Sequence, residues 1–144
     1  MAKRIKPELV YMDTSALIAL ASRTDKNHEK ARNFFEKSIR SGIKFILGRP
    51  VLVEFLNGVS KRVNKKVAIQ LYREYTSSKI VAIEKETEED WEKAWKIFEQ
   101  YDDHNGMDVV DCLSFAIMER LGIRDAFTFD RDFETYGFNK LPRD

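Results

Sequence analysis

Short, dense apolar runs alternate along this chain with longer stretches in which apolar residues recur every three or four positions. The first dense run, Glu8-Leu9-Val10-Tyr11-Met12-Asp13, reads as a buried strand ending in a carboxylate. Thr14 or Ser15 is then expected to cap a helix opening with Ala16-Leu17-Ile18-Ala19-Leu20-Ala21. Residues 25–40 predict a second helix, with Ala31, Phe34, Phe35 and Ile39 on one face and charges on the other. Gly42 is its stop signal, and residues 43–47 predict the next strand. Pro50 suits the first position of a helix over 51–61, and another helix is expected over 64–77. Residues 80–83 read as a strand, after which Thr87 caps the helix that carries Trp91, Trp95 and Phe98. Beyond the polar loop 102–106, a helix over 108–121 closes at Gly122. Ala126-Phe127-Thr128-Phe129-Asp130 is a fourth strand ending in a carboxylate, followed by a short turn or helix and an edge strand at 138–140.

Strands separated by helices predict an α/β fold, a mainly parallel central sheet with helices on both faces in a three-layer α/β/α sandwich. No repeat, low-complexity tract or linker divides the chain, so residues 1–144 are read as one domain.

Composition narrows the classes of function. With 43% apolar and 34% charged residues, the chain reads as a soluble globular protein. No apolar run approaches the roughly 20 residues of a membrane span. Met1-Ala2-Lys3-Arg4-Ile5-Lys6-Pro7 is basic but lacks the apolar core of a secretion signal, so a cytoplasmic location is expected. Cys112 is the only cysteine, which excludes an internal disulfide and a CxxC redox or zinc motif. The net charge of +1 gives no global attraction for nucleic acid, so an RNA partner would need a local basic patch. The run Lys61-Arg62-Val63-Asn64-Lys65-Lys66 could be that patch or simply a solvated helix turn.

Candidate chemistry lies in the acidic residues. Ligands of open parallel sheets bind beyond the carboxyl ends of the strands, near the switch in strand order, and Asp13 and Asp130 are both expected at that edge. Either could instead cap the helix or turn after its strand. Glu54 sits in Val51-Leu52-Val53-Glu54-Phe55-Leu56, where a carboxylate needs a partner; Lys61, nearly two turns on, would be the ordinary one. Asp111 lies in a helix apolar almost all round, with Ser114 the nearest partner inside the helix. It could also be the capping-box partner of Asp108. Clustered carboxylates repel one another and raise one another's pKa, and a hard divalent cation such as Mg²⁺ relieves that repulsion. Such a site can activate water against a phosphodiester. His28 and His104 are too isolated for a histidine-based mechanism; His104 could be a ligand from its acidic loop, but a flexible exposed loop is the stronger expectation.

Four segments together resemble the motifs of PIN domains. Val10-Tyr11-Met12-Asp13-Thr14-Ser15-Ala16-Leu17 is similar to the opening motif, and Glu54 falls where the family carries its second acidic residue. Val109-Val110-Asp111-Cys112-Leu113-Ser114-Phe115-Ala116 resembles the third motif, and Phe127-Thr128-Phe129-Asp130-Arg131-Asp132-Phe133 the fourth. The resemblance implies that Asp13, Glu54, Asp111 and Asp130 converge on one Mg²⁺ or Mn²⁺ site, with Ser15 and Thr128 in support and Asp108 and Asp132 secondary. It further implies an endoribonuclease like the toxins of VapBC pairs, acting on tRNA or rRNA, usually a homodimer held in check by a small antitoxin. An RNA-processing nuclease outside toxin–antitoxin systems, or a catalytically weak module that binds RNA or protein, shares the same motifs. A haloacid-dehalogenase-type phosphatase would need an acid where Ser15 stands, and a receiver domain would need an acidic pair near the first strand.

Overall fold

The computed structural model describes residues 7–143. Residues 1–6, on which the expectation about a secretion signal rests, lie outside them. The elements run β1 (Leu9–Met12), α1 (Thr14–Ala21), α2 (His28–Arg40), β2 (Lys44–Gly48), α3 (Arg49–Arg62), α4 (Lys65–Ser77) and β3 (Val81–Glu84). They continue with α5 (Glu88–Gln100), α6 (Val109–Leu121), β4 (Asp125–Phe127), α7 (Asp132–Tyr136) and β5 (Asn139–Leu141). The five strands form one all-parallel sheet in the order β3-β2-β1-β4-β5. The α/β reading therefore holds, and the strand order reverses between β1 and β4.

Side chains alternate across the sheet, so register decides which helix each strand meets. Val10 pairs with Phe45 and Met12 with Phe127, which places these apolar side chains on one face. Phe34 and Phe35 of α2 close that face, with ring centroids 4.9 Å from Phe127 and 5.0 Å from Phe45. Tyr11 points to the opposite face, where its hydroxyl donates to Ser114 Oγ of α6 over 2.8 Å. Helix α6 is buried from Cys112 through Met118, consistent with its nearly continuous apolar sequence. These layers make the three-layer sandwich.

Local chemistry shifts several boundaries from those the sequence predicts. Asp13, rather than Thr14 or Ser15, caps α1, accepting from the Ser15 backbone N–H. Helix α2 starts at His28 because Asp25 Oδ1 accepts from Asn27 N and closes a turn in place of the expected first helical turn. Pro50 stands one residue inside α3, behind Arg49. Strand β4 stops at Phe127, so Thr128 to Asp130 form a turn beyond it rather than its last residues. On α5 the buried face is Asp90, Ala94 and Ile97, and the large rings of Trp91, Trp95 and Phe98 lie outward. Asp90 also anchors the α5–α6 pair, accepting from Arg120 at 2.9 and 3.0 Å.

Gly48 marks the tightest approach between layers. A Cβ there would lie 2.2 Å from the Tyr11 hydroxyl oxygen, and Tyr11 is fully buried and tied to Ser114. Gly48→Ala should therefore destabilise by about 1–3 kcal/mol through overpacking. Adding Tyr11→Phe should recover part of that loss, a non-additivity that denaturant unfolding of the four variants in the cycle would measure.

Candidate active site at the carboxyl edge of the sheet

The site is assembled where β1 and β4, the two strands at the reversal, run out. Asp13 follows β1 directly and is 5% exposed. Three donors converge on its Oδ2: Ser15 Oγ at 2.7 Å, Thr128 Oγ1 at 2.8 Å and Ser15 N at 3.3 Å. The turn after β4 is tied in the same way. Phe129 N donates to Ser15 Oγ, Asp130 N to Thr128 Oγ1, and Asp132 N to Asp130 Oδ1, all within 3.0 Å. Ser15 and Thr128 thus link the two strand ends around Asp13.

Glu54 reaches the edge from α3 and is held by Thr14, whose hydroxyl donates to Glu54 Oε1 over 2.7 Å. Its partner is therefore Thr14, and not Lys61 further along the helix. Asp111 arrives on the first turn of α6 in a capping box: Asp108 N donates to Asp111 Oδ2 and Asp111 N to Asp108 Oδ1. Ser114 is taken by Tyr11 and does not serve Asp111. The capping reading and the clustering of acids are both true of Asp111.

One oxygen from each of Asp111, Asp130 and Asp132 lies within 4.8 Å of the others, a separation at which a single cation could be held. Asp132, to which the motifs give only a secondary place, is in this trio, whereas Asp13 and Glu54 stand outside it. The sequence signal for Asp132 is only its adjacency to Asp130. His104 also differs from expectation: it is not loose in solvent, and its Nε2 lies 2.8 Å from Asp132 Oδ1. Lys61, Arg62, Lys65 and Lys66 are exposed around the α3–α4 turn, whose second helix is capped by Asn64. Arg62 lines an apolar groove of about 620 Å³ that also includes Thr14, Ile18, Glu54, Val59 and Leu71.

The electrostatics are those of acids crowded away from water. Burial raises the Asp13 carboxyl above its ordinary value, against the hydrogen bonds from Ser15 and Thr128. Burial likewise raises Glu54, with Asp108 and Asp13 adding repulsion, and Asp130, with Asp132 and Asp13 adding theirs. Asp111 is pushed up to about 9, first by burial and then by the charges of Asp108 and Asp13. Four carboxyls raised together near the strand reversal make this edge a candidate functional site. All the donors are hard carboxylate oxygens, which fits a divalent cation of the Mg²⁺ class.

This fold and acidic edge define a class of protein, and the chain belongs to the PIN domain family, whose model matches residues 10–139. Its relatives include the 23S rRNA-specific endonuclease VapC20 of Mycobacterium tuberculosis, 28% identical over 130 residues, which are 90% of this chain and 95% of that protein. The crystal structure of VapC20, a sarcin-ricin loop cleaving toxin, is similar at a TM-score of 0.80 with 27% identity, covering 90% of this chain and 95% of VapC20. FitAcB of Neisseria gonorrhoeae shares the fold at a TM-score of 0.66 and 16% identity, over 91% of this chain and 95% of that one.

The raised Asp111 carboxyl has a measurable consequence. Because its folded value stands near 9 against an ordinary 3.8, its stabilising contribution is complete below about pH 4 and is lost as pH rises toward 9. Metal-free protein should thus melt at progressively lower temperature across that range. Asp111→Asn, whose amide oxygen can still accept from Asp108 N, should flatten the decline and melt higher than wild type at pH 8. Thermal melts in EDTA would check this, and an Asn variant that declines with pH as steeply as wild type would show that ionising Asp111 does not destabilise the fold.

Proposed function

We propose that the chain is one PIN-like nuclease domain, residues 1–144, acting as a metal-dependent endoribonuclease and as the toxin of a toxin–antitoxin pair. The observation that carries the reading is the crowding of carboxylates with raised pKa at the strand reversal, in a chain similar to VapC20 over 90% of its length. Asp13, Glu54, Asp111 and Asp130 are the catalytic and cation-holding groups, joined by Asp132, and Mg²⁺ or Mn²⁺ is the cation the oxygen donors suit. When bound, such a cation supplies a lowered pKa for its water and charge stabilisation for the phosphodiester.

The residues of the chain supply the rest. Ser15 and Thr128 hold the Asp13 carboxylate so that no side-chain ordering remains when substrate arrives. Thr14 occupies Oε1 of Glu54, leaving Oε2 to accept a proton from the attacking water. Lys61, Arg62, Lys65 and Lys66 position RNA phosphates beside the groove edge that Arg62 and Glu54 share. Ribosomal RNA is the first substrate to test, with tRNA second. The apolar groove between Thr14 and Leu71 is a surface that a small antitoxin would cover, and a homodimer in the cytoplasm is the working assembly. Among the described residues no helix is long and apolar enough to cross a membrane.

Purified protein should cleave a total rRNA and tRNA preparation with Mg²⁺ or Mn²⁺ and not in EDTA. Asp13→Asn and Asp111→Asn, purified identically, should be inactive while folded, and Glu54→Gln should lose about 10²–10⁴ in kcat. A folded wild-type protein silent toward every RNA in both metals would move the reading to a binding module. In the same assay, glutamate at Lys61, Arg62, Lys65 and Lys66 should raise KM far more than it lowers kcat and reduce the salt dependence of RNA binding.

A further inference from the structure

The loop between α5 and α6 delivers one side chain to the acidic trio, and it is not an acid. Two backbone hydrogen bonds bracket His104: its N–H donates to Tyr101 O over 2.9 Å, and Met107 N donates to its carbonyl over 3.2 Å. Met107, 2% exposed, roots the loop in the core. The imidazole is therefore carried on a fixed backbone, and its Nε2 meets Asp132 Oδ1 at 2.8 Å. Asp132 is itself 8% exposed and stands beside Asp111 and Asp130.

A carboxylate in that position is repelled by its two neighbours, and repulsion favours rotamers that turn it away. His104 Nε2, 2.8 Å from Oδ1, opposes this in the neutral tautomer that carries the ring proton on that nitrogen. Groups that hold ligands in this way govern metal affinity without touching the metal. We propose that His104 is a positioning residue of the cation site, holding the Asp132 carboxylate within the Asp111–Asp130–Asp132 trio. The inference rests on the metal-dependent reading above and adds to it a residue from a loop outside the four motifs. In this assignment His104 acts through Asp132 and is not itself one of the oxygen donors of the trio.

The test is Mn²⁺ binding by isothermal titration calorimetry, without RNA, on the intact chain. His104→Ala should weaken Mn²⁺ binding roughly tenfold or more. His104→Gln, whose amide nitrogen reaches about as far as Nε2, should recover most of that loss. Asp132→Ala should weaken binding too, and His104→Ala added to it should cost nothing further, a non-additivity that a general loosening of the loop would not produce. Wild-type affinity in His104→Ala, or an equal loss with and without the Asp132 carboxylate, would overturn the positioning role while leaving the nuclease reading intact. A wild-type chain that takes up no Mn²⁺, or an Asp111→Asn variant that binds it unchanged, would instead overturn the metal reading and this inference with it.

Discussion

The structure depends on a relay of hydrogen bonds at the reversal of strand order. Parallel neighbours β1 and β4 end side by side, and their next residues would splay toward the helices beyond. They are instead stitched together through Asp13 Oδ2, which accepts from Ser15 on the α1 side and from Thr128 on the β4 side. Asp13 N also donates to Phe127 O, and Ser15 Oγ accepts from Phe129 N. Thr128 and Asp130 pass the connection along the turn to Asp132. Asp130 and Asp132 are thus placed by amides that the side chains of Thr128 and Asp130 hold, and Asp13 by its bond to the Phe127 carbonyl.

This arrangement explains how the fold tolerates like charges in partial burial. An isolated buried carboxylate is costly unless hydrogen-bonded or neutralised. Asp13 is offset by its donors, Glu54 by Thr14, and Asp111 by the exposed amide end of α6 and the positive pole of that helix. None of these partners carries a full positive charge. Repulsion is dispersed among dipoles and left unresolved, which is the state a cation can exploit and a lysine would have spoiled. Arg120, by contrast, is engaged by Asp90 and Glu84, away from the trio, where it fastens α5 to α6.

The sheet was legible because parallel strands buried on both faces leave near-continuous apolar runs, and Leu9 through Met12 is one. Helix ends were legible where a glycine or a capping side chain stood alone, as at Gly122 and Thr87. They were misread where side chains compete for the same backbone: Asp25 closes a turn before α2, and Asp13 takes the cap that Thr14 and Ser15 also suit. Thr14 was free to find Glu54, a contact between residues 40 apart that no local pattern encodes. The same is true of His104 and Asp132. On α5 the aromatic spacing was visible but its direction was not, since Asp90, Ala94 and Ile97 satisfy the same helical period.

The start of α6 joins two duties in one atom group. Asp111 Oδ2 accepts the Asp108 amide that begins the helix, while the same carboxylate faces Asp130 and Asp132. An asparagine can discharge the first duty and cannot discharge the second. One base change can therefore separate architecture from chemistry at this position, leaving a well-capped, well-packed molecule with its binding surfaces intact. If the chain acts as proposed, such a molecule would still compete for the partners of its active parent, and a single codon would then suffice to make an antagonist of it.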